Sequence, residues 1–330
     1  MIDLCKIRHK SVNMVYGINA KRLIVTDSGK YVFKANCGFV EKKEVPTSFG
    51  EVFYSKVCKR LNCNCVNAVF AQMFIDKNLS HGTLIDYFWE KDTLETISFG
   101  DIMQKSDLLD LSFGDDVVID DVIDLSSFFA KNMGLKFDAK NAKKCLTKMA
   151  VLDYFFAQAD RHFDNIEFLI SKKEMKLAPI FDNGFCFNLW REKENGDIVS
   201  RSEYIERGYP QFLRMANTDS ADDKTKDLAK QIYVTAKKSP EIRELVSNIY
   251  NLDMDEILKD VYIESDKQID IDYVENCRAI FEYRKQLLKN FARRMDAVEH
   301  TQMMKDIKSM KTKNIPHTIN NNACAQERFI

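Results

Sequence analysis

The sequence is poor in glycine and proline, with 11 and 5 residues among 330. This scarcity excludes collagen-like, linker-like and low-complexity chains. No stretch approaches the roughly 20 consecutive apolar residues that a membrane-spanning helix needs. Net charge is also almost absent, because 49 Lys and Arg face 50 Asp and Glu and leave a formal charge of −1. Such a chain has no global field that attracts nucleic acid or an anionic membrane, so direct nucleic-acid binding is not expected.

Apolar residues make up 45% of the chain and aromatic residues 11%, which is enough for sizeable hydrophobic cores. A chain of 330 residues exceeds the usual size of one core, so two domains or lobes are expected. Nine cysteines, an odd number, lie among aliphatic residues, a pattern typical of reduced, buried thiols. The N-terminal residues lack the charged-then-apolar order of a signal peptide. We therefore expect a cytoplasmic protein, with secretion by a signal-independent route as an alternative.

The first 90 residues predict a small α+β lobe. Two β-rich runs, 22–26 and 30–34, flank the turn Asp27-Ser28-Gly29 and predict a hairpin. Apolar residues at helical spacing predict a helix over 48–61, with Ser48 as its N-cap. Two further strands are expected, at 67–74 and 83–89.

From residue 91 to about 300 the apolar periodicity becomes helical, which predicts a second, mainly helical lobe. An apolar helix predicted over 143–157 ends at a polar segment, and a strand, a turn and a strand follow. These two strands are expected at 166–170 and 176–180. Residues 222–300 again favour helices, whereas 301–330, with few large apolar side chains, predict a flexible tail.

Three oxygen-bearing side chains flank this second predicted hairpin. Asp160 and Asn165 precede its first strand and Asp182 follows its second, so the hairpin brings them to the same end. Carboxylate and carbonyl oxygens, together with waters and substrate phosphates, are the ligands that Mg²⁺ prefers. The sequence therefore predicts an oxygen-rich magnesium site at this end of the hairpin.

A lysine and a glutamate in the first lobe complete the pattern. Lys34 lies on the second hairpin strand, where its ammonium could reach phosphate oxygens, and Glu51 lies on the following helix and could pair with it. A strand lysine, a helix glutamate, Asp-x-x-x-x-Asn and a second Asp after a hairpin are the parts used in phosphoryl transfer. That chemistry depends on positioning and charge neutralisation, so a lysine and metal ligands are the residue types it needs.

With Asp160-Arg161-His162-x-x-Asn165 and the run Ala178-Pro179-Ile180-Phe181-Asp182, the chain resembles the HipA-like and CtkA-like bacterial Ser/Thr protein kinases. The resemblance covers roughly residues 11–190 by motif and the rest only by helical character. It implies a two-lobed, protein-kinase-like fold of the α+β class. A β-rich N-lobe would span 1–90 and a mainly helical C-lobe 91–300, with ATP between the lobes.

The resemblance also implies roles for individual residues. Asp160 would be the catalytic base, His162 would contact phosphate or fix the loop, and Asn165 and Asp182 would bind magnesium. Lys34 would contact the α- and β-phosphates of ATP. The residues implied for nucleotide binding are Gly17, Asn19, Lys21, Lys34, Glu51, Asp86 and Phe88.

The chain departs from ordinary protein kinases in several places. A single Gly17 replaces Gly-x-Gly-x-x-Gly, the metal-binding triplet reads Asp182-Asn183-Gly184, and no Ala-Pro-Glu follows. The loop motif also resembles that of phosphoinositide kinases. The leading hypothesis is a Ser/Thr protein kinase that autophosphorylates and acts on a protein hydroxyl. The alternatives are a phosphoinositide or small-molecule kinase, and a kinase-like toxin or regulatory module with an antitoxin-like partner.

Overall fold

The computed structural model describes residues 1–14, 21–40, 43–45, 47–88, 95–105, 117–158, 160–187 and 224–313. Residues 1–288 form one compact unit and 289–330 a second. The strands are β1 Ile2–Asp3, β2 Lys10–Met14, β3 Lys21–Thr26, β4 Gly29–Ala35, β5 Cys37–Val40, β6 Lys43–Val45, β7 Ala68–Ile75, β8 Asn78–Asp86, β9 Glu95–Ser98, β10 Lys136–Phe137, β11 Glu167–Ile170 and β12 Glu174–Leu177. The helices are α1 Thr47–Arg60, α2 Phe99–Lys105, α3 Ile119–Asn132, α4 Ala139–Phe155, α5 Lys224–Lys238, α6 Pro240–Tyr250, α7 Met254–Glu264 and α8 Ile271–Lys313. Most strands precede most helices along the chain, and the fold therefore belongs to the α+β class that the sequence predicts.

A six-stranded sheet in the order β1-β7-β8-β4-β3-β2 forms the first part of the chain. The predicted hairpin is confirmed as the antiparallel pair β3–β4, which is slightly longer than predicted at both ends. The pair β7–β8 also forms, but β8 begins at Asn78 rather than at residue 83. Its first residues are polar and carry no apolar alternation. These residues form a strand because Asp76 and Lys77, whose backbones are both left-handed, make a two-residue turn. The turn pairs β8 with β7 from the first residue of β8.

The two faces of this sheet have different neighbours. Phe33 and Ala35 point to one face, where they join a small cluster of apolar side chains. Lys34 lies between them in sequence, and because side chains alternate along a strand it points to the opposite face. Helix α1 packs against the sheet through β7 and β8, and its apolar residues belong to the main core of the molecule. Lys34 therefore faces the interior although it is charged.

Helix α1 begins one residue earlier than predicted, at Thr47, so Ser48 lies inside the helix and the predicted N-cap at Ser48 is wrong. The side chain of Asn36, which follows β4, accepts a hydrogen bond from the backbone N–H of Ser48 at 2.8 Å. The first-turn N–H groups of a helix have no partner within the helix and need an acceptor. Here that acceptor comes from the end of a strand, which local sequence does not indicate.

The second predicted hairpin is β11–β12, which lies in a four-stranded sheet of order β10-β12-β11-β9. Its second strand ends at Leu177, although a strand was predicted over 176–180. Pro179 cannot donate a ladder hydrogen bond, and the chain leaves the sheet before it. Ile180 instead exchanges backbone hydrogen bonds with Asn64 and Val66, at 2.9 and 3.0 Å, in the loop after α1. These bonds fix the segment that leads to Asp182 against the first part of the chain.

Four helices, α5 to α8, account for the described residues from 224 onward, as the sequence predicts for 222–300. Helix α8 continues to Lys313, into the region assigned to a tail, and residues 314–330 lie outside the described residues. The second compact unit consists, where it is described, of the C-terminal part of α8. Among the described residues, no helix has the length and apolarity needed to cross a membrane.

Candidate active site

Lys34 and Glu51 form a buried ion pair between β4 and α1. The Lys34 Nζ donates to Glu51 Oε1 at 2.8 Å, and the two side chains are 5% and 1% exposed. Burial by itself lowers the pKa of Lys34, but Glu51 and Asp182 outweigh burial and hold the pKa above its usual value. An unpaired charge at this depth would be strongly unfavourable. The pairing that the sequence predicts between these residues is present.

Asp182 follows β12 and is the second partner of Lys34, whose Nζ donates to its Oδ1. Lys21 Nζ lies 3.5 Å from the other carboxylate oxygen. Burial opposes ionisation of Asp182, yet the attraction of Lys34 and Lys21 lowers its pKa well below the usual range. The structure therefore brings Lys21, Lys34, Glu51 and Asp182 together, although they come from three separate parts of the sequence.

The polar loop after α4 supplies Asp160 and Asn165. The side-chain nitrogen of Asn165 donates to the carbonyl oxygen of Asp160 at 2.6 Å, which closes the loop and leaves the Asn165 side-chain oxygen as the atom suited to a cation. Burial raises the pKa of Asp160, and the negative charge of Asp182 adds to this, whereas His162, Lys34 and Arg161 act in the opposite direction. Asp160 is thus within electrostatic range of both Lys34 and Asp182.

Gln158 links this loop to Asp182. Its side-chain oxygen accepts from the backbone N–H of Asp160 at 3.1 Å, and its nitrogen donates to the carbonyl oxygen of Asp182 at 3.1 Å. Gln158 is fully buried. Sequence reasoning missed this residue, since a glutamine at the end of a helix is ordinary. Its only sequence signal is its position two residues before Asp160.

Asn183 and Arg161 are two further buried polar residues that received no role from the sequence. The backbone N–H of Asn183 donates to Glu51 Oε2 at 2.9 Å, and its side-chain oxygen accepts from Arg161 Nη2 at 2.6 Å. Arg161 also pairs with Asp153 of α4, with Nε to Oδ2 at 3.0 Å. Asp153 is the one acidic residue in the otherwise apolar stretch 149–157, and this was the one available signal of this pair.

Helix α1 approaches the segment after Asp182 more closely than a side chain would permit. A Cβ atom on Gly50 would lie 2.7 Å from the carbonyl oxygen of Gly184 and 2.8 Å from that of Asn183. Gly184 faces Thr47 in the same contact. The close approach lets Glu51 reach both Lys34 and the backbone of Asn183.

A solved structure of a known protein has a similar architecture. No protein-family model matches the chain, and no curated protein matches it in sequence. The crystal structure of the proinflammatory kinase CtkA from Helicobacter pylori is similar, with a TM-score of 0.55 and 16% identity over 88% of this chain and 98% of that chain. The chain has the fold of the kinase CtkA. The structure of the HipA–HipB toxin–antitoxin complex with its operator DNA from Shewanella oneidensis gives a TM-score of 0.44 and 15% identity over 84% of this chain and 63% of that chain.

The residues expected near adenine, Asp86 and Phe88, lie at the end of β8 and just after it. Asp86 ends β8, and its N–H donates to the carbonyl oxygen of Asn67 at 3.0 Å. Phe88 packs against Phe181, with ring centroids 5.3 Å apart, and so contacts the residue before Asp182. Gly17 and Asn19, expected in the phosphate-covering turn, lie outside the described residues.

His162 lies at the surface of the loop and is 38% exposed. Its Nδ1 accepts a hydrogen bond from the backbone N–H of Asp164 at 3.3 Å and lies 3.6 Å from the Asp164 carboxylate. This bond caps the short 3₁₀ turn Phe163–Asn165. Of the two roles weighed for His162, the geometry supports fixing the loop.

The donor set fits magnesium. Asp182 offers a carboxylate and Asn165 a carbonyl oxygen, both of the hard type that Mg²⁺ binds. Across the described part of the chain, no group of three or more His, Cys, Asp or Glu side chains could by itself hold a metal ion. Mg²⁺ at nucleotide sites is ordinarily held by one or two carboxylates together with phosphates and waters, so a sparse protein set is what this use requires.

Proposed function

We propose that this chain is an ATP- and Mg²⁺-dependent serine/threonine protein kinase that can phosphorylate itself. The observation that carries the proposal is the convergence of Lys34, Glu51 and Asp182, with Asp160 linked to Asp182 through the side chain of Gln158. The similarity in fold to the kinase CtkA supports the proposal independently.

In the proposed reaction, Lys34 and Lys21 bind the phosphates of ATP. Lys34 is held in place by Glu51, so little conformational entropy is lost when it meets the nucleotide. Asp86 and Phe88 would contact the adenine, and Gly17 and Asn19 would cover the phosphates. Both lysines pair with Asp182 in this structure. When ATP binds, its phosphates would become further ion-pair partners of the two lysines.

Asn165 and Asp182 would hold the magnesium ion. When bound there, Mg²⁺ neutralises charge on the phosphate oxygens and orients them for in-line transfer. Asn165 can offer its oxygen because its nitrogen is already bonded to the carbonyl of Asp160. Asp182 stays ionised at any physiological pH, because the lysines hold its pKa low.

Asp160 is the proposed base that accepts the proton of the substrate hydroxyl. Its pKa is raised by burial and by Asp182, which makes it a stronger base than an ordinary aspartate. Its backbone is fixed by Gln158 and Asn165, so the carboxylate is presented from a rigid loop. The reaction would move the terminal phosphoryl group of ATP to a Ser or Thr oxygen.

The test is transfer of radiolabelled phosphate from ATP to the protein itself and to a generic Ser/Thr substrate, with and without Mg²⁺. We expect labelling by the wild type and loss of labelling in Asp160→Ala and Asp182→Ala. Asp124→Ala is the matched control, since Asp124 is an exposed carboxylate of α3. Equal labelling by all four proteins would refute the assigned roles, and no labelling by the wild type would refute the kinase assignment.

A phosphoinositide or small-molecule kinase is the second candidate. It is favoured by the loop Asp160-Arg161-His162-x-x-Asn165 and by the absence of Ala-Pro-Glu after Gly184 in the sequence. Thin-layer assays with phosphoinositides distinguish the two, because lipid labelling without protein labelling would favour this candidate. A kinase-like toxin or regulatory module, an antitoxin-like partner and a cytoplasmic location stay predictions from the sequence.

A further inference from the structure

Arg161 is the largest fully buried side chain among the described residues, and its guanidinium contacts the metal-binding segment on both sides of Asp182. Nη1 donates to the carbonyl oxygen of Phe181 at 2.6 Å, and Nη2 donates to the side-chain oxygen of Asn183 at 2.6 Å. The residue before and the residue after Asp182 are therefore held by one planar group. Arginine suits this use because its donors form a rigid fork.

Asp182 itself has a backbone conformation that needs such support. Its φ is +53°, in the left-handed region that a residue with a Cβ atom seldom adopts. A non-glycine residue persists there only where its surroundings determine its conformation. Arg161 donates hydrogen bonds to Phe181 and Asn183, the residues on either side of Asp182. Gln158 donates to the carbonyl oxygen of Asp182, and Glu51 accepts from the backbone N–H of Asn183.

Arg161 is positioned in turn by Asp153 and Tyr54. Asp153 Oδ2 accepts from Arg161 Nε at 3.0 Å, and Asp153 Oδ1 accepts from Arg161 Nη2 at 3.2 Å and from the Tyr54 hydroxyl at 2.7 Å. Asp153 and Tyr54 are 1% and 0% exposed. Tyr54 lies on α1 one turn after Glu51, so the same helix holds Asn183 through two separate routes.

We infer that Arg161 is a positioning residue that fixes Asp182 in its metal-binding conformation, and that Asp153 and Tyr54 position Arg161. This inference rests on the proposed magnesium-dependent phosphoryl transfer. Where ordinary protein kinases have a phenylalanine after the metal-binding aspartate, Asn183 is buried here at 1% exposure and takes part in the polar network. Buried polar networks of this kind select one conformation, because any alternative leaves buried donors and acceptors unpaired.

Three variants test the inference. Arg161→Lys retains the charge but cannot span Phe181, Asn183 and Asp153 together. Tyr54→Phe removes one hydroxyl from the far end of the network. This milder variant tests the same inference if Arg161→Lys does not fold. Arg284→Lys is the matched control, because Arg284 is also buried, at 3% exposure, but donates to the carbonyl oxygen of Tyr154 on α4.

The first measurement is amide hydrogen exchange in the nucleotide-free protein. Peptides that cover residues 181–184 should exchange at least about tenfold faster in Arg161→Lys and about threefold faster in Tyr54→Phe, while β7 and β8 exchange as in the wild type. In Arg284→Lys, residues 181–184 should exchange no faster than the rest of the unit.

The second measurement is the magnesium requirement of phosphate transfer. The concentration for half-maximal activity should rise at least about tenfold in Arg161→Lys, while the KM for ATP at saturating Mg²⁺ changes less than about threefold. Unchanged exchange over 181–184, exchange accelerated equally throughout the unit, or an unchanged magnesium requirement would overturn the inference. If the wild type transfers no phosphate, the proposed function fails, and the exchange experiment still decides whether Arg161 fixes this segment.

Discussion

Lys21 and Lys34 lie directly opposite each other on β3 and β4, and both reach the carboxylate of Asp182. Like charges at opposed positions of a sheet repel each other. The repulsion is offset by Asp182, which contacts both, and by Glu51, which contacts Lys34. Only Lys34 is buried, whereas Lys21 is 23% exposed, so we expect the two lysines to differ in their contributions to stability and to function.

Replacement of Lys34 by methionine should impair both folding and activity. Glu51 and Asp182 would lose their shared buried cation, and removal of one partner of a buried ion pair typically costs about 3–5 kcal/mol of unfolding free energy. Phosphate transfer should fall by at least about 100-fold, because an electrostatic contact to the reacting group is lost. Urea denaturation and radiolabelling measure the two effects. A Lys34→Met protein with wild-type stability would contradict the buried pair.

Lys21→Met should affect nucleotide binding more than stability. Its contact with Asp182 is 3.5 Å long and partly exposed, and such pairs contribute at most about 1 kcal/mol. The KM for ATP should rise by a larger factor than kcat falls, because the main loss is binding of the phosphates. Steady-state kinetics at varied ATP decide this. A lower kcat with an unchanged KM for ATP would show that Lys21 does not contribute to the binding of ATP before the reaction.

Asp160→Asn should abolish most activity and yet stabilise the protein near neutral pH. Loss of a general base typically lowers the rate by about 10²- to 10⁴-fold. Burial raises the pKa of Asp160 in the folded state, and Asp182 adds to this, so ionisation of Asp160 opposes folding as pH rises through that pKa. The gain in melting temperature should therefore be larger at about pH 7 than at about pH 3. A variant less stable than the wild type at both pH values would contradict this sign.

Asp182→Asn should show the opposite dependence on pH. The folded-state pKa of Asp182 lies below its usual value of about 3.9, despite burial, because Lys34 and Lys21 favour its ionised form. Its stabilising contribution is present above that value and is lost as pH falls through the folded-state pKa. The variant should be less stable than the wild type at about pH 7 and closer to it at about pH 2. Chemical denaturation over this range is the measurement, and a pH-independent difference would exclude the ion pairs as the cause.

Gly50→Ala should destabilise the protein, although Gly→Ala inside a helix ordinarily stabilises by about 0.5–1 kcal/mol. The added methyl group would lie 2.7 Å from the carbonyl oxygen of Gly184, so α1 and the segment after Asp182 must separate. Activity should fall together with stability, because Glu51 and Asn183 lie in that contact. The control is Lys56→Ala on the same helix, at a partly exposed position that pairs with Glu264. A Gly50→Ala protein more stable than the wild type would show that the contact is loose.

Much of the fold follows from short-range patterns. The hairpin β3–β4 and the helices α1 and α4 were predicted because turn residues and apolar periodicity act within about ten neighbouring residues. The short strands β1, β9 and β10 were not predicted, because pairing with a strand distant in sequence determines them rather than their own residues. Strand β2 and the early start of β8 were also not predicted, because their residues are mostly polar and pairing with the neighbouring strands β3 and β7 makes them strand. The end of β12 at Leu177 was not predicted, although Pro179 in the sequence indicates that a strand does not continue through it.

The sequence by itself determined which residues are candidates for the chemistry. Asp160 and Asn165 share one loop, and Asp182 follows the hairpin that begins there, so local chain geometry already places them at one end of it. Only the tertiary structure decided what holds them there. Lys21 beside Asp182, Asn36 at the start of α1, and the chain from Tyr54 through Asp153 to Arg161 join residues that are far apart along the sequence. Such contacts depend on how sheets and helices pack, which periodicity along the chain does not encode.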